Sequence, residues 1–131
     1  MKNFAVTIVP RFYETDALGH INNAAIAAWF EVARVRFLES LGESEPSSAK
    51  DWMLASMQID FVAETFDGTD VEAKLTGAQV GNSSLSVLCD MYQSGGLTVR
   101  CQAVLVHMDT DEKKPARIPD SLRDKVTEFS L

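Results

Sequence analysis

The chain has 131 residues, of which 46% are hydrophobic and 24% are charged, the balance of a globular protein with one ordinary hydrophobic core. Its formal net charge of −7 argues against general nucleic-acid binding, which requires a basic face. Its longest apolar runs are far shorter than the roughly 18–20 residues that cross a bilayer, and its first ten residues lack the cleavage site of a signal peptide. We therefore expect a single cytoplasmic domain over residues 1–131, with no membrane partner.

The predicted elements begin with a strand over Phe4–Tyr13, in which Pro10 indicates an edge position or a bulge. A long helix is predicted over Ala24–Leu41, because this segment is rich in helix formers and is followed by Gly42 at the C′ position. Apolar side chains cover most of the circumference of this helix. We therefore expect it to be buried rather than to lie on a surface.

The second half of the chain has the pattern of several strands and a short terminal helix. Alternating or β-rich segments occur at Trp52–Glu64, Val71–Gly77, Leu85–Met91 and Leu97–Val106. The last two segments are joined by the sequence QSGG, which is a hairpin signal. The closing sequence IPDSLRDKVTEF predicts a helix capped by Asp120 or Ser121. One long helix with about four long antiparallel strands predicts an α+β fold in which the sheet wraps the helix.

Two cysteines, Cys89 and Cys101, fall on the two strands of the predicted hairpin. Such a pair does not indicate a disulfide scaffold, and no zinc-ligand spacing is present in the sequence, so we expect buried thiols. Their relative placement depends on the turn. A turn centred between Gly95 and Gly96 puts them on opposite faces, whereas a one-residue shift puts them opposite each other.

The segment TDALGHINN, Thr15–Asn23, lies between the first strand and the long helix. It is consistent with a polar turn that ends in a helix cap, for which Asp and Asn are favoured, and Asn22 is the expected cap. The alternative is a reaction site, because the carboxylate of Asp16 can act as a general base or a nucleophile. The free amides and the positive dipole end of the following helix suit a polarised carbonyl oxygen.

The block RFYETDALGHINNAAIAAWFEVARVRFL, Arg11–Leu38, resembles the signature region of the hotdog-fold acyl-CoA thioesterases of the 4-hydroxybenzoyl-CoA thioesterase type. The matching positions are Asp16, Gly19, His20, Asn22, Asn23, Trp29, Phe30, Glu31, Ala33 and Arg34. The later strings IDFVAE, GNSS and KPARIP extend the similarity over nearly the whole chain. Ile26 departs from the pattern, since the family often has an aromatic residue at this position.

The resemblance implies a hotdog fold, with a long central helix wrapped by a five- or six-stranded antiparallel sheet. It implies hydrolysis of an acyl-CoA thioester to free acid and CoA, with no metal or other cofactor, and with Asp16 as general base or nucleophile. By the same resemblance, the amide near Asn23 contacts the thioester carbonyl, Gly19 lets the loop approach the substrate, and His20 lines the site. It also implies a homodimer or homotetramer whose active sites lie at the subunit boundary.

Other side chains are candidates for substrate binding, each with a structural alternative. Glu31 is a second acid/base candidate on the helix, or else part of an i,i+3 ion pair. Ser84 is a candidate contact for the thioester or its pantetheine arm, or else a turn residue. The basic residues of the sequence KKPAR, Lys113, Lys114 and Arg117, are candidates for binding the phosphates of CoA, or else form a solvated loop.

Two other functions remain open for the same fold. An acyl carrier protein thioesterase would use the same chemistry, with the basic segment facing an acidic carrier protein. A non-catalytic acyl-CoA-binding module would not need Asp16, because binding alone requires no carboxylate beside the thioester.

Overall fold

One antiparallel sheet and one long helix form the framework of the protein. The computed structural model describes residues 2–42 and 51–129. The strands are β1 (Ala5–Ile8), β2 (Trp52–Phe61), β3 (Val71–Val80), β4 (Ser84–Gln93), β5 (Gly96–Asp109) and β6 (Lys114–Pro115), in the order β1-β3-β4-β5-β2 with β6 paired to β5. The helices are α1 (Asn23–Leu41), α2 (Asp120–Thr127) and a short 3-10 helix, Phe12–Glu14. Within the described residues, no helix is both long enough and apolar enough to span a membrane.

Helix α1 packs against the inner face of the sheet, which confirms the α+β arrangement predicted from the sequence. Phe30 and Phe37 are fully buried on its inner side, and burying each such side chain stabilises the fold by about 1.5–3 kcal/mol. The opposite side is exposed, and Val32 on that side is 40% accessible. The prediction that the helix is buried nearly all round is therefore wrong. Alanines such as Ala24 and Ala28 gave the exposed face an apolar appearance, but they are too small to require burial.

The first strand and the two helix ends refine the predicted boundaries. β1 lies at the edge of the sheet, as the proline predicted, but it ends at Ile8, before Pro10. Gly42 caps α1 with an ordinary φ of −78°, so it does not adopt the left-handed conformation of a C′ glycine. The predicted cap of α2 is also wrong. Pro119 occupies the N-cap position, and the Asp120 carboxylate accepts a hydrogen bond from the Arg117 guanidinium at 2.7 Å.

The hairpin between β4 and β5 fixes the relation between the two cysteines. Ser94 and Gly95 have φ values of +53° and +80°, as a tight turn with two left-handed central residues requires. A register shift next to this turn then places Cys89 directly opposite Cys101. Both thiols are buried. The hydrogen bond between the Cys89 and Cys101 thiols, together with burial, raises the pKa of Cys89 above its usual range.

The two cysteines should therefore be unreactive in the folded protein, because the thiolate is the nucleophile and neither thiol is accessible. An aromatic disulfide reagent at pH 8 should not react with the native protein, so no coloured thiolate should be released. It should report two thiols per chain once guanidinium has unfolded it. Ser121→Cys is the matched control, since residue 121 is exposed and its thiol should react at once. Rapid labelling of Cys89 or Cys101 without unfolding would contradict the burial of both thiols.

Candidate active site

The loop that precedes α1, residues 15–22 and here named the Asp16 loop, is closed by the side chain of Asp16. Its Oδ1 accepts hydrogen bonds from the amides of Leu18 at 2.8 Å and His20 at 3.1 Å, an arrangement for which short polar side chains are favoured in turns. Gly19 has a φ of +83°, which glycine adopts without the strain of a Cβ. Within the described residues, Oδ2 of Asp16 has no hydrogen-bond partner. One carboxylate oxygen therefore orders the loop while the other stays free.

Asn22 is the N-cap of α1, as the sequence predicted. Its Oδ1 accepts from the Ala25 amide at 2.8 Å, and its Nδ2 donates to the Glu14 carbonyl at 2.7 Å. In the described part of the chain, the amides of Asn23 and Ala24 have no acceptor. They stand at the positive end of a 19-residue helix, where an oxygen carrying negative charge is stabilised.

A cleft of about 510 Å³, here named the Asp16 cleft, brings these groups together. Its polar lining includes Asp16, Asn22 and Asn23, and Ile21 and Ile26 contribute apolar surface. The remaining wall is the segment 61–65, which begins at the end of β2. The cleft thus combines a carboxylate and unpaired helix amides with an apolar surface.

Two lining residues of the cleft, Glu64 and Thr65, did not appear among the sequence-derived candidates. Glu64 Oε2 lies 3.0 Å from Nδ1 of His20. The Thr65 carbonyl accepts a hydrogen bond from the Ile21 amide at 2.8 Å. Thr65 is only 2% exposed, yet its hydroxyl has no hydrogen-bond partner among the described residues. The string IDFVAE was the available signal, but nothing local in it places these residues against a loop more than 40 positions earlier.

His20 belongs to the Asp16 loop and contacts the segment after β2, but it is not among the residues that line the cleft. Its ring packs edge-on against Phe66 with 5.1 Å between ring centroids, and its backbone forms a β-bridge with the same residue. Together with its contact to Glu64, this packing holds the imidazole at the join between the two segments.

Glu31 and its neighbours lie further along α1, outside the lining of the Asp16 cleft. Glu31 is largely exposed, and its carboxylate lies 4.0 Å from the Arg34 guanidinium. Arg34 is 5% exposed, stacks over the Phe30 ring at 4.6 Å and contacts the Met57 sulfur at 3.7 Å. Burial lowers the pKa of Arg34 from its ordinary value. The geometry thus contains the i,i+3 pair, at the limit of ion-pair distance.

Ser84 and the basic residues lie elsewhere on the chain. Ser84 lines a separate depression of about 660 Å³ with Arg123 of α2. Lys114 and Arg117 are engaged in ion pairs with the carboxylates of Glu112 at 2.6 Å and Asp120 at 2.7 Å.

The distance between the basic residues and the cleft follows from the register of β5. Val99 pairs with Phe61 at the cleft, whereas Met108 pairs with Pro115 beside the basic residues Lys113 and Lys114. At roughly 3.3 Å per residue, these two ends of β5 are about 30 Å apart. Within one chain, the basic residues and the Asp16 cleft are therefore not brought together. Among residues 2–42 and 51–129, no cluster of three or more His, Cys, Asp or Glu side chains could hold a metal ion.

Solved structures with the same fold include thioesterases. A predicted thioesterase from Bacillus stearothermophilus is similar with a TM-score of 0.91 and 30% identity, over 99% of this chain and 98% of that one. A thioesterase from Thermus thermophilus, solved in complex with coenzyme A and Zn, has a TM-score of 0.85 and 25% identity, over 95% of this chain and 92% of that one. These similarities agree with the hotdog architecture described above.

Curated relatives are similar over different shares of their length. The acyl-acyl carrier protein thioesterase ATL3 of Arabidopsis thaliana, a chloroplastic protein, is 25% identical over 129 residues, which are 95% of this chain and 67% of that protein. YsmA of Bacillus subtilis is 29% identical over 77 residues, or 59% of this chain, and the match spans about half of that protein, 52%.

The match to a family model covers the Asp16 loop, α1, strands β2 to β6 and most of α2. It extends over residues 10–126 and describes the Thioesterase-like superfamily. The chain, a hotdog-fold protein, therefore belongs to the thioesterase-like superfamily.

Proposed function

We propose that the protein hydrolyses acyl-CoA thioesters to a free carboxylic acid and CoA, with Asp16 carrying the chemistry. The observation that carries this proposal is the Asp16 cleft, in which a carboxylate with one free oxygen and the unpaired amide of Asn23 share an apolar-walled space. Thioester hydrolysis needs both parts, a group that delivers the nucleophile and donors for the oxyanion that develops.

Two balanced mechanisms fit these groups. As a general base, Asp16 accepts a proton from water while the water oxygen bonds to the carbonyl carbon. The C–S bond then breaks, and the proton passes to the departing sulfur. As a nucleophile, Asp16 bonds to the carbonyl carbon and expels the CoA thiolate. Water then hydrolyses the resulting mixed anhydride, which frees the acid and the Asp16 carboxylate, and the proton released from the water passes to the thiolate. In both, the helix amides hold the carbonyl oxygen while it bears negative charge.

The similarity to a Thermus thermophilus thioesterase solved with coenzyme A supports CoA as the carrier of the acyl group. An acyl carrier protein thioesterase is the second candidate, and the similarity to ATL3 favours it. Both use the same cleft and the same chemistry. The non-catalytic module is less well supported, because a binding site alone gains nothing from a carboxylate beside the thioester.

A second copy of the chain is proposed to complete the site by pairing along β2. This strand lies at one end of the sheet, and its side chains Met53, Leu54 and Met57 are 41–50% exposed. An unpaired strand edge with exposed apolar side chains favours pairing with another strand. Antiparallel pairing of two β2 strands would bring the Trp52 end of the second copy beside Phe61 at the cleft.

This pairing would also bring basic residues to the cleft. Trp52 pairs with His107 on β5, close to the point where the chain enters the segment that contains Lys113 and Lys114. The basic segment of the second copy would therefore approach the cleft of the first copy. Within one chain, the two are about 30 Å apart. The phosphates of CoA would meet positive charge there.

Asp16→Asn should abolish most of the activity while leaving the fold intact. Asn keeps the Oδ1 acceptor for Leu18 and His20, but it is neither a base nor an effective nucleophile. The rate of thiol release from a panel of acyl-CoA and acyl carrier protein substrates should fall by about a hundredfold to ten-thousandfold, with an unchanged melting temperature. Glu31→Gln, outside the cleft, is the matched control and should stay near wild type.

The panel also decides between the candidate functions. If the protein prefers carrier-protein substrates, the acyl carrier protein thioesterase is the correct function. If the wild-type protein turns over no substrate, the proposal that it is an enzyme is wrong. Full activity in Asp16→Asn would contradict the assignment of Asp16, and Glu64 would then be the next carboxylate to replace. Asp16→Ala should lower the melting temperature, because it removes both loop hydrogen bonds.

Leu54→Lys should weaken self-association, since it puts a charge on the exposed edge strand. Sedimentation velocity should show wild-type protein as a dimer or larger, and the variant shifted towards the mass of one chain, with a lower rate of thiol release. Gln58→Asn is the control on the same strand, because Gln58 is already polar and exposed and the replacement adds no charge. A wild-type protein that is monomeric and fully active would refute the shared site.

A further inference from the structure

Thr65 is a residue of the Asp16 cleft whose buried hydroxyl the proposed chemistry does not yet use. Thr65 lines the cleft, and the residue is only 2% exposed. Its Oγ1 has no hydrogen-bond partner in the part of the chain that the structure describes. A buried hydroxyl without a partner destabilises a fold, and such groups are uncommon in folded proteins. The position therefore calls for a ligand atom that would satisfy the hydroxyl.

The backbone of Thr65 holds this hydroxyl close to the start of α1. The Thr65 carbonyl accepts a hydrogen bond from the Ile21 amide at 2.8 Å, and Ile21 lies two residues before Asn23, the first residue of the helix. The unpaired amide of Asn23 thus lines the same cleft as Thr65, and the unpaired amide of Ala24 follows it in the first turn of α1. Among the described residues, the start of α1 and Thr65 therefore provide three donors without acceptors, namely two amides and one hydroxyl.

We propose that Thr65 is a further substrate-contacting residue whose hydroxyl donates a hydrogen bond to the carbonyl oxygen of the bound thioester, beside the amides of Asn23 and Ala24. This inference rests on the proposed thioesterase function. A hydroxyl hydrogen rotates to suit its acceptor, and the side chain changes direction by one χ1 rotation. The bond strengthens as the carbonyl oxygen gains negative charge, so it favours the tetrahedral intermediate over the bound substrate.

Two substitutions separate this role from a structural one. Thr65→Val keeps the shape and removes the hydroxyl, so its melting temperature should equal or exceed that of wild type. Its kcat/KM for thiol release should fall about tenfold to a hundredfold, mostly through kcat. Thr65→Ser keeps the hydroxyl and should stay within about fivefold of wild type. A residue that only packs would lose stability and activity in parallel.

Binding of two unreactive ligands tests the contact without turnover. A 2-oxoalkyl-CoA keeps a carbonyl but has no thioester bond, and an alkyl-CoA thioether of the same length lacks the carbonyl. Calorimetry should show that Thr65→Val weakens the 2-oxoalkyl ligand about fivefold or more and leaves the thioether within about twofold of wild type.

Several results would overturn the proposal. These are equal binding of the 2-oxoalkyl ligand by Thr65→Val and wild type, equal weakening of both ligands, or wild-type protein that binds neither. If Thr65→Val does not fold, Thr65→Ala is measured in the same way, and failure of both to fold assigns the hydroxyl a structural role instead. Absence of wild-type turnover removes the thioesterase proposal separately, since the ligand comparison does not depend on hydrolysis.

Discussion

The way Asn22 anchors the first turn of α1 governs the geometry of the candidate site. Its side chain accepts from the helix at Ala25 and donates back to Glu14, and its backbone amide donates to the same Glu14 carbonyl at 2.8 Å. These bonds close the Asp16 loop at its base, because Glu14 and Asn22 stand at the two ends of the loop. A side-chain cap satisfies one of the four orphan amides of a helix. The amides that it leaves at Asn23 and Ala24 are the donors proposed for a thioester carbonyl.

Asp16, like Asn22, both orders the loop and has a proposed role in the reaction. An aspartate that closes its own turn is held in place before any substrate arrives, so little conformational freedom remains to be lost in the reaction. A turn residue and a reactive carboxylate are therefore compatible descriptions of one side chain, and the free Oδ2 is what distinguishes this loop from an ordinary capped turn.

The sequence predicted the features that local chemistry determines. The Asn22 cap, the QSGG hairpin, the edge position of β1 and the α+β class follow from residues close together in the chain. The cap of α2 was wrong because Asp120 pairs with Arg117, a competition that no capping preference describes. The roles of Asp16, His20 and the basic residues stay predictions, since geometry alone places them without testing them.

Thr65 and Glu64 could not be predicted from the sequence for a different reason. They meet the Asp16 loop through the contacts of Thr65 with Ile21 and of Glu64 with His20, which join segments more than 40 residues apart. Such contacts depend on how the chain leaves β2 and on the register of β2 against β5, in which Leu54 and Ser56 flank an irregularity. A one-residue change in register reverses the face on which every later side chain lies. No pattern within either segment contains that information.

The proposed pairing along β2 links assembly to electrostatics at the cleft. The lining carries the carboxylates of Asp16 and Glu64 in a chain of net charge −7, so it is a poor place for a ligand with several phosphates. Phe61 and Val62, each 54% exposed, form an apolar wall at the same end of β2. A second copy would cover part of this apolar surface and deliver the basic end of its own β5 there. One contact would then both bury the edge strand and neutralise the phosphates. A single chain would have the reactive groups but would lack the positive charge that holds the substrate.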